Sequence, residues 1–186
     1  MRKRSFGLAL VPLLLVAVFT GSGAAASVAP AQANGIQAVE ASNILLVNSN
    51  SGYCLDQHYR TWPTGATNTV LAWSQCHGSA NQRWDIIKYN GVNKIVNRAS
   101  GMCLDQHFEV WPTVPTTQMY VWQCHTYANQ EWIITNITAL HLLIKNRQSR
   151  DCLDQHHLDG LRGPTTTVVA WDNCHGMANQ VWRVGF

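Results

Sequence analysis

The run Cys-Leu-Asp-Gln-His occurs three times in this chain, at 54–58, 103–107 and 152–156, with a spacing of 49 residues each time. Behind each copy comes a second signature, Cys-His followed by Ala-Asn-Gln-x-Trp, at 76–84, 124–132 and 174–182. A third element, Asn-x-x-Ser-Gly at 97–101, stands ahead of the first cysteine, recurs around 48–52 and loses its glycine at Arg150. Self-similarity at a fixed period marks a repeat architecture in which like units share one core. The repeats are placed at about 43–90, 91–138 and 139–186. They absorb the unusual composition. All six Cys, six of the eight His and six of the eight Trp recur in register. The other two tryptophans, Trp62 and Trp111, precede proline in copies one and two, where copy three has Gly160-Leu161.

Within a copy the apolar segments are short and β-like, as in 44–47, 70–73 and 84–89, and turn pairs such as Asn90-Gly91 and Ser100-Gly101 separate them. No helical period persists in the body. The stretch Ile133–Ile144 is rich in β-branched residues and Thr, which favours two strands and a turn. The expectation is an all-β chain of about twelve short strands. Three blades are too few for a propeller, and an open solenoid wants atypical capping repeats, so three near-identical units suit a closed three-fold barrel.

The formal charge of +3 sits at one end. Three of the 13 basic residues are Arg2, Lys3 and Arg4, and no acidic residue precedes Glu40, so the body balances ten basic against ten acidic residues. No basic stripe remains to follow a phosphate backbone, which excludes nucleic acid as the expected partner. The basic start and the apolar run Phe6–Phe19 read as a secretory signal, with Ala-x-Ala cleavage sites ending at Ala26 or Ala33, the latter favoured. Residues 1–33 are then signal and 34–42 a short tail. The rival is an uncleaved anchor, but the run falls short of the ~20 residues a spanning helix needs. A secreted, extracellular protein without membrane insertion is expected.

Export gives the cysteines a default meaning. An even number in an oxidising compartment predicts disulfides. Pairing equivalent residues, Cys54 with Cys76, Cys103 with Cys124 and Cys152 with Cys174, preserves the repeat and closes short loops. Each bridge contributes on the order of 3 kcal/mol by loop entropy, which helps units too small to bury a core alone. A metal site is the rival, since each copy also carries His and Asp. It is disfavoured because the Cys-His pairs are adjacent, whereas structural zinc ligands are spaced, and strand neighbours point to opposite faces. No metal and no cofactor is expected.

Three Gln-x-Trp motifs, each behind Cys-His and each with Cys-Leu-Asp about 28 residues upstream, resemble the ricin B-type lectins, which include the family 13 carbohydrate-binding modules of secreted bacterial enzymes. The resemblance covers 43–186 and implies a β-trefoil with one disulfide per repeat. It implies that Trp84, Trp132 and Trp182 belong to the core. It also implies one sugar pocket per repeat: Asp56, Asp105 and Asp154 with Asn81, Asn129 and Asn179 as hydrogen-bonding groups, and Trp73, Trp122 and Trp171 as stacking platforms. Gln82, Gln130 and Gln180 would hold the aspartates, and His77, His125 and His175 would line the pockets. The resemblance implies glycan or polysaccharide partners of galactose, xylose or mannose type.

The chemistry of those residues agrees. A sugar has an apolar C–H face for an aromatic ring and a rim of hydroxyls for a carboxylate and an amide. A turn role for the aspartates is the bland alternative. His58, His107 and His156, two residues beyond them, share their strand face if the strand continues, or else are hydrogen-bonded loop residues. One departure affects the platforms. Trp122 stands two residues before its cysteine, but Trp73 and Trp171 stand three before theirs, and one extra strand residue reverses a side chain unless a bulge absorbs it. Catalysis is not expected. A glycosidase needs two carboxyls with different tasks, and each copy repeats one aspartate; Glu109, Glu131 and Asp159 recur nowhere. The alternative function is a trefoil without sugar binding, acting as a protein-interaction or inhibitor module.

Overall fold

The computed structural model describes residues 40–61, 63–110, 113–157 and 164–186. The expected signal, residues 34–39 of the tail, Trp62, Trp111 and Gly160-Leu161 therefore lie outside the described residues.

Among the described residues, twelve antiparallel strands carry the fold: β1 (Ala41–Asn48), β2 (Cys54–Thr61), β3 (Thr64–Trp73), β4 (Trp84–Tyr89), β5 (Val92–Asn97), β6 (Cys103–Val110), β7 (Val114–Trp122), β8 (Trp132–Asn136), β9 (His141–Asn146), β10 (Cys152–His157), β11 (Pro164–Trp171) and β12 (Val181–Gly185). Four belong to each repeat, and Ile133–Ile144 is two strands and a turn as expected. β1 starts at Ala41, so the last residues of the expected tail are already strand.

Six strands close on themselves. β1 pairs β4, then follow β5, β8, β9 and β12, and β12 returns to β1. The motif tryptophans set this ring. Trp84, Trp132 and Trp182 each pair with the asparagine that ends the first strand of the next repeat, Asn97, Asn146 and Asn48. On their other side they pair with Ile44, Asn93 and Leu142. The remaining six strands form the hairpins β2–β3, β6–β7 and β10–β11, which also pair with one another, Thr69 with Tyr120, Leu71 with Thr167 and Gln118 with Val169. A closed ring with three mutually paired hairpins is consistent with the expected β-trefoil.

The core is layered in threes. Leu46, Ile95 and Ile144 form one set, Leu55, Leu104 and Leu153 another, and Ile86, Ile134 and Val184 a third, around the three buried tryptophans. Fully burying such a side chain contributes roughly 1.5–3 kcal/mol. The exception is β5, where Asn93 and Lys94 are buried in place of Ile44 and Leu45 of β1 and Leu142 and Leu143 of β9.

Each repeat is also joined to the next through its asparagine. The amides of Asn48, Asn97 and Asn146 donate to the carbonyls of Asn179, Asn81 and Asn129, all at 2.8 Å, so repeat three hands on to repeat one. The turn after each of these asparagines needs a left-handed residue. Gly52 and Gly101 supply it at φ 76° and 70°, and where the third glycine is lost Arg150 takes φ 74°, a conformation that costs a side-chain-bearing residue about 1–2 kcal/mol. The cysteines pair within repeats as the symmetry suggested, at Cα separations of 5.4, 5.0 and 5.3 Å.

Candidate functional site

The hairpins hold the three aspartates. Asp56, Asp105 and Asp154 lie across from Leu71, Tyr120 and Val169, with their carboxylates almost closed off from solvent. The core tryptophan of each repeat fixes the backbone immediately before its aspartate, because the indole N–H donates to the carbonyl of Leu55 (3.0 Å), Leu104 (3.1 Å) or Leu153 (2.9 Å). A single turn of 3₁₀ helix, Ala80–Gln82, Ala128–Gln130 or Ala178–Gln180, then brings the asparagine to the carboxylate. Asn81, Asn129 and Asn179 donate to their aspartates at 2.9, 3.0 and 2.9 Å. The glutamines behind them are fully buried. Their amide nitrogens donate to the carbonyls of Gln75, Gln123 and Asn173, which ties each turn to the loop after the platform strand, and Gln130 also donates to Asp105 at 2.8 Å.

The three platform tryptophans share one register. Trp73, Trp122 and Trp171 pair with Cys54, Cys103 and Cys152 respectively. The reversal that an extra strand residue would impose on Trp73 and Trp171 does not occur. The extra residue falls beyond the strand, in 74–75 and 172–173, where a tight turn absorbs it: the N–H of His77 donates to Gln75 and that of His175 to Asn173. All three rings are accessible, at 37%, 54% and 38% exposure.

Both sets of histidines reach the same cavities. The register of each hairpin shifts between Gln57 and Tyr59, Gln106 and Phe108, and Gln155 and His157, so a bulge falls on His58, His107 and His156. A bulge re-aims side chains, and here two consecutive residues turn towards one cavity: His58 with Tyr59, His107 with Phe108, His156 with His157. For His77, His125 and His175, Nδ1 accepts the backbone N–H two residues on, at 3.2, 3.3 and 3.1 Å. An Nδ1 that accepts leaves the proton on Nε2. In two repeats that Nε2 faces the carboxylate, 3.9 Å from Asp56 and 3.4 Å from Asp105.

Each cavity thus combines an aspartate, an asparagine, a tryptophan and two histidines, with His157 as a third histidine in repeat three. The volumes are about 160 Å³ in repeat one, 420 Å³ in repeat two and 630 Å³ in repeat three. Burial pushes the Asp105 carboxyl up to about 6, against opposing hydrogen bonds from Gln130 and Asn129 and the charges of His107 and Lys94. Burial raises Asp56 and Asp154 as well, opposed first by hydrogen bonds from Gln82 and Gln180. His125 is held below its ordinary range by burial and then by the Lys94 ammonium, which favours the neutral ring. The arrangement offers a hydrogen-bond acceptor, N–H donors and one flat apolar face, all directed at a small open volume.

Every sequence-predicted residue except the glutamines lines a cavity; the glutamines lie behind the wall as supports. Sequence reasoning missed the residues that distinguish the cavities: Tyr120, Tyr127, Phe108 and, from repeat one, Asn68 around the cavity of repeat two, and His157, Met177 and, from repeat one, Asn50 around that of repeat three. A search for what recurs passes over positions that vary between copies. Aligning the copies and reading the differences beside each motif would have found Ser79, Tyr127 and Met177.

The model of the ricin-type β-trefoil lectin domain matches residues 42–183. Among solved structures, a designed three-fold symmetric protein, ThreeFoil, is 25% identical with a TM-score of 0.61, over 77% of this chain and 99% of that one. The exo-β-1,3-galactanase 1,3Gal43A of Clostridium thermocellum is 26% identical (TM-score 0.59), over 76% of this chain and 29% of the enzyme. The hemolytic lectin CEL-III is 29% identical (TM-score 0.58), again over 76% of this chain and 29% of the lectin. No curated protein sequence matches.

Proposed function

Because the chain belongs to the ricin-type β-trefoil lectin family, we propose that it is a non-catalytic carbohydrate-binding protein with one sugar pocket in each repeat. The observation that carries this reading is the same floor built three times. In every repeat a core tryptophan and an asparagine amide, buried in repeats one and two and half-buried in repeat three, hold an aspartate beside an exposed tryptophan. Trp73, Trp122 and Trp171 cover the C–H face of a sugar ring. The aspartate accepts from hydroxyls, and a charged acceptor makes bonds roughly twice as strong as a neutral one. The Nε2–H of His77, His125 and His175 supplies a donor beside it.

One carboxylate lines each cavity among the described residues, whereas glycoside hydrolysis requires a pair about 5–10 Å apart. Repetition serves binding better than catalysis, since linked weak sites gain avidity on a polymeric or clustered glycan. The ligand is a neutral sugar of galactose, xylose or mannose type. Disulfides in all three repeats and the N-terminal signal favour an extracellular setting. The decisive experiment changes Asp56, Asp105 and Asp154 together to Ala and compares the purified variant with wild type on a glycan array. Loss of wild-type binding is expected, and unchanged binding by the folded variant would sink the pocket assignment.

A further inference from the structure

The three cavities share a floor but not a rim, and repeat two departs furthest. Its strand position opposite the aspartate is Tyr120, where repeats one and three have Leu71 and Val169. Its position before the 3₁₀ turn is Tyr127, where they have Ser79 and Met177. Both tyrosines line the cavity of repeat two; neither Ser79 nor Leu71 lines that of repeat one.

Close contacts lead from the carboxylate through His125 to Tyr127. His125 lies 3.4 Å from Asp105, and the ring of Tyr127 lies 4.9 Å from that of His125. Tyr127 is 57% exposed, much like Trp122 at 54%, so this cavity carries two accessible aromatic residues together with its aspartate. At about 420 Å³ the space falls in the ~300–1,000 Å³ typical of sites for drug-sized ligands, while the 160 Å³ of repeat one lies below it. Repeat three is larger, but a flexible methionine takes the place of the second aromatic face, and its additional wall is the polar pair Asn50 and His157.

We propose that the pocket of repeat two binds an oligosaccharide of at least two linked sugars, the first stacked on Trp122 above Asp105 and the next on Tyr127, whereas the pocket of repeat one holds a single ring. This rests on the sugar-binding reading above and adds a ligand length and the residue that selects it. Tyr127 acts through its ring face, since its backbone already caps the 3₁₀ turn, with its carbonyl accepting from Gln130.

The test isolates repeat two by using Asp56→Asn/Asp154→Asn, near-isosteric changes that remove the other two carboxylates. Titration calorimetry then compares xylose with xylobiose, galactose with lactose, and mannose with α-1,2-mannobiose. We expect at least one disaccharide to bind about tenfold tighter than its monosaccharide, the scale of one added aromatic contact. Adding Tyr127→Ser, the residue that repeat one carries there, lowers disaccharide affinity several-fold more than monosaccharide affinity. Equal affinities for the paired sugars, or an equal loss of both on Tyr127→Ser, overturns the proposal while leaving the sugar site standing. A different failure strikes the underlying site: no pair binds, or binding persists after Asp105→Ala is added.

Discussion

Repeats one and two build the floor of their cavities from the same groups, and they differ behind it and at the rim. In front, Ser79 and Leu71 of repeat one become Tyr127 and Tyr120 of repeat two. Behind, Ile44 and Leu45 become Asn93 and Lys94, both buried. Lys94 is 2% exposed, donates to the carbonyl of His125 at 2.7 Å, and has its pKa lowered by burial against the charges of Glu131 and Asp105. Neither change displaces the floor. The tryptophan still faces the first cysteine of its repeat, and the asparagine still donates to the aspartate. The core tryptophan fixes the backbone before each aspartate in both repeats, so the floor keeps its geometry while the residues around it vary.

The largest expected effect tests the shared part. Trp84→Ala and Trp132→Ala each remove a fully buried indole, and each should destabilise the protein by about 3–5 kcal/mol in urea unfolding. The two losses should be alike. If Trp132→Ala costs markedly less, Asn93 has loosened that side of the ring and the repeats are not equivalent in support.

A smaller effect separates the repeats by charge. The folded-state pKa of Asp105 is about 6, against about 3.9 in an unfolded chain. Between those values the folded state binds the extra proton, so the protonated carboxyl favours folding and this contribution disappears as pH rises towards 6. Two pKa units correspond to roughly 3 kcal/mol. Asp105→Asn cannot titrate, and its stability relative to wild type should rise by about that amount between pH 4 and 7. A difference that is flat with pH would remove Asp105 as the titrating group.

The smallest effect exchanges the residue behind the pocket. Lys94→Leu loses an ammonium–carbonyl bond of about 1.5–3 kcal/mol and gains a buried leucine of similar value, so net stability should change by less than about 2 kcal/mol. The titration of the pocket should move instead. Lys94 lowers both Asp105 and His125, and its removal should raise both, which NMR titration would detect. Unmoved titrations would mean that the ammonium does not act on the pocket.

The repeat signatures made most of the fold legible. Gln-x-Trp marked the three tryptophans that join the ring to the pockets, and the spacing of the cysteines identified their partners. The pocket floor was legible because it recurs, and the resemblance to ricin B-type lectins assigned its roles. Distance along the chain was a poor guide to Trp73 and Trp171, because counting back from Cys76 and Cys174 passes through a loop, and strand register alone decides which way a side chain points. The bulges at His58, His107 and His156 were equally hidden, since they arise from hairpin closure and leave no residue-type signature. The burial of Lys94 runs against the usual exposure of lysine, and only the position of β5 in the ring reveals it.

The amide bonds from Asn48, Asn97 and Asn146 bear on the order in which the chain is threaded. Each pocket asparagine is braced by the repeat that follows it, and the pocket of repeat three is braced by repeat one. Connectivity is therefore incidental to this cycle while closure is essential to it. A circular permutant beginning at repeat two, with Gly185 linked to Ala41, would keep all three braces. A two-repeat fragment would break the cycle and leave one pocket asparagine without its neighbour, so the sites belong to the closed triad and not to any repeat alone.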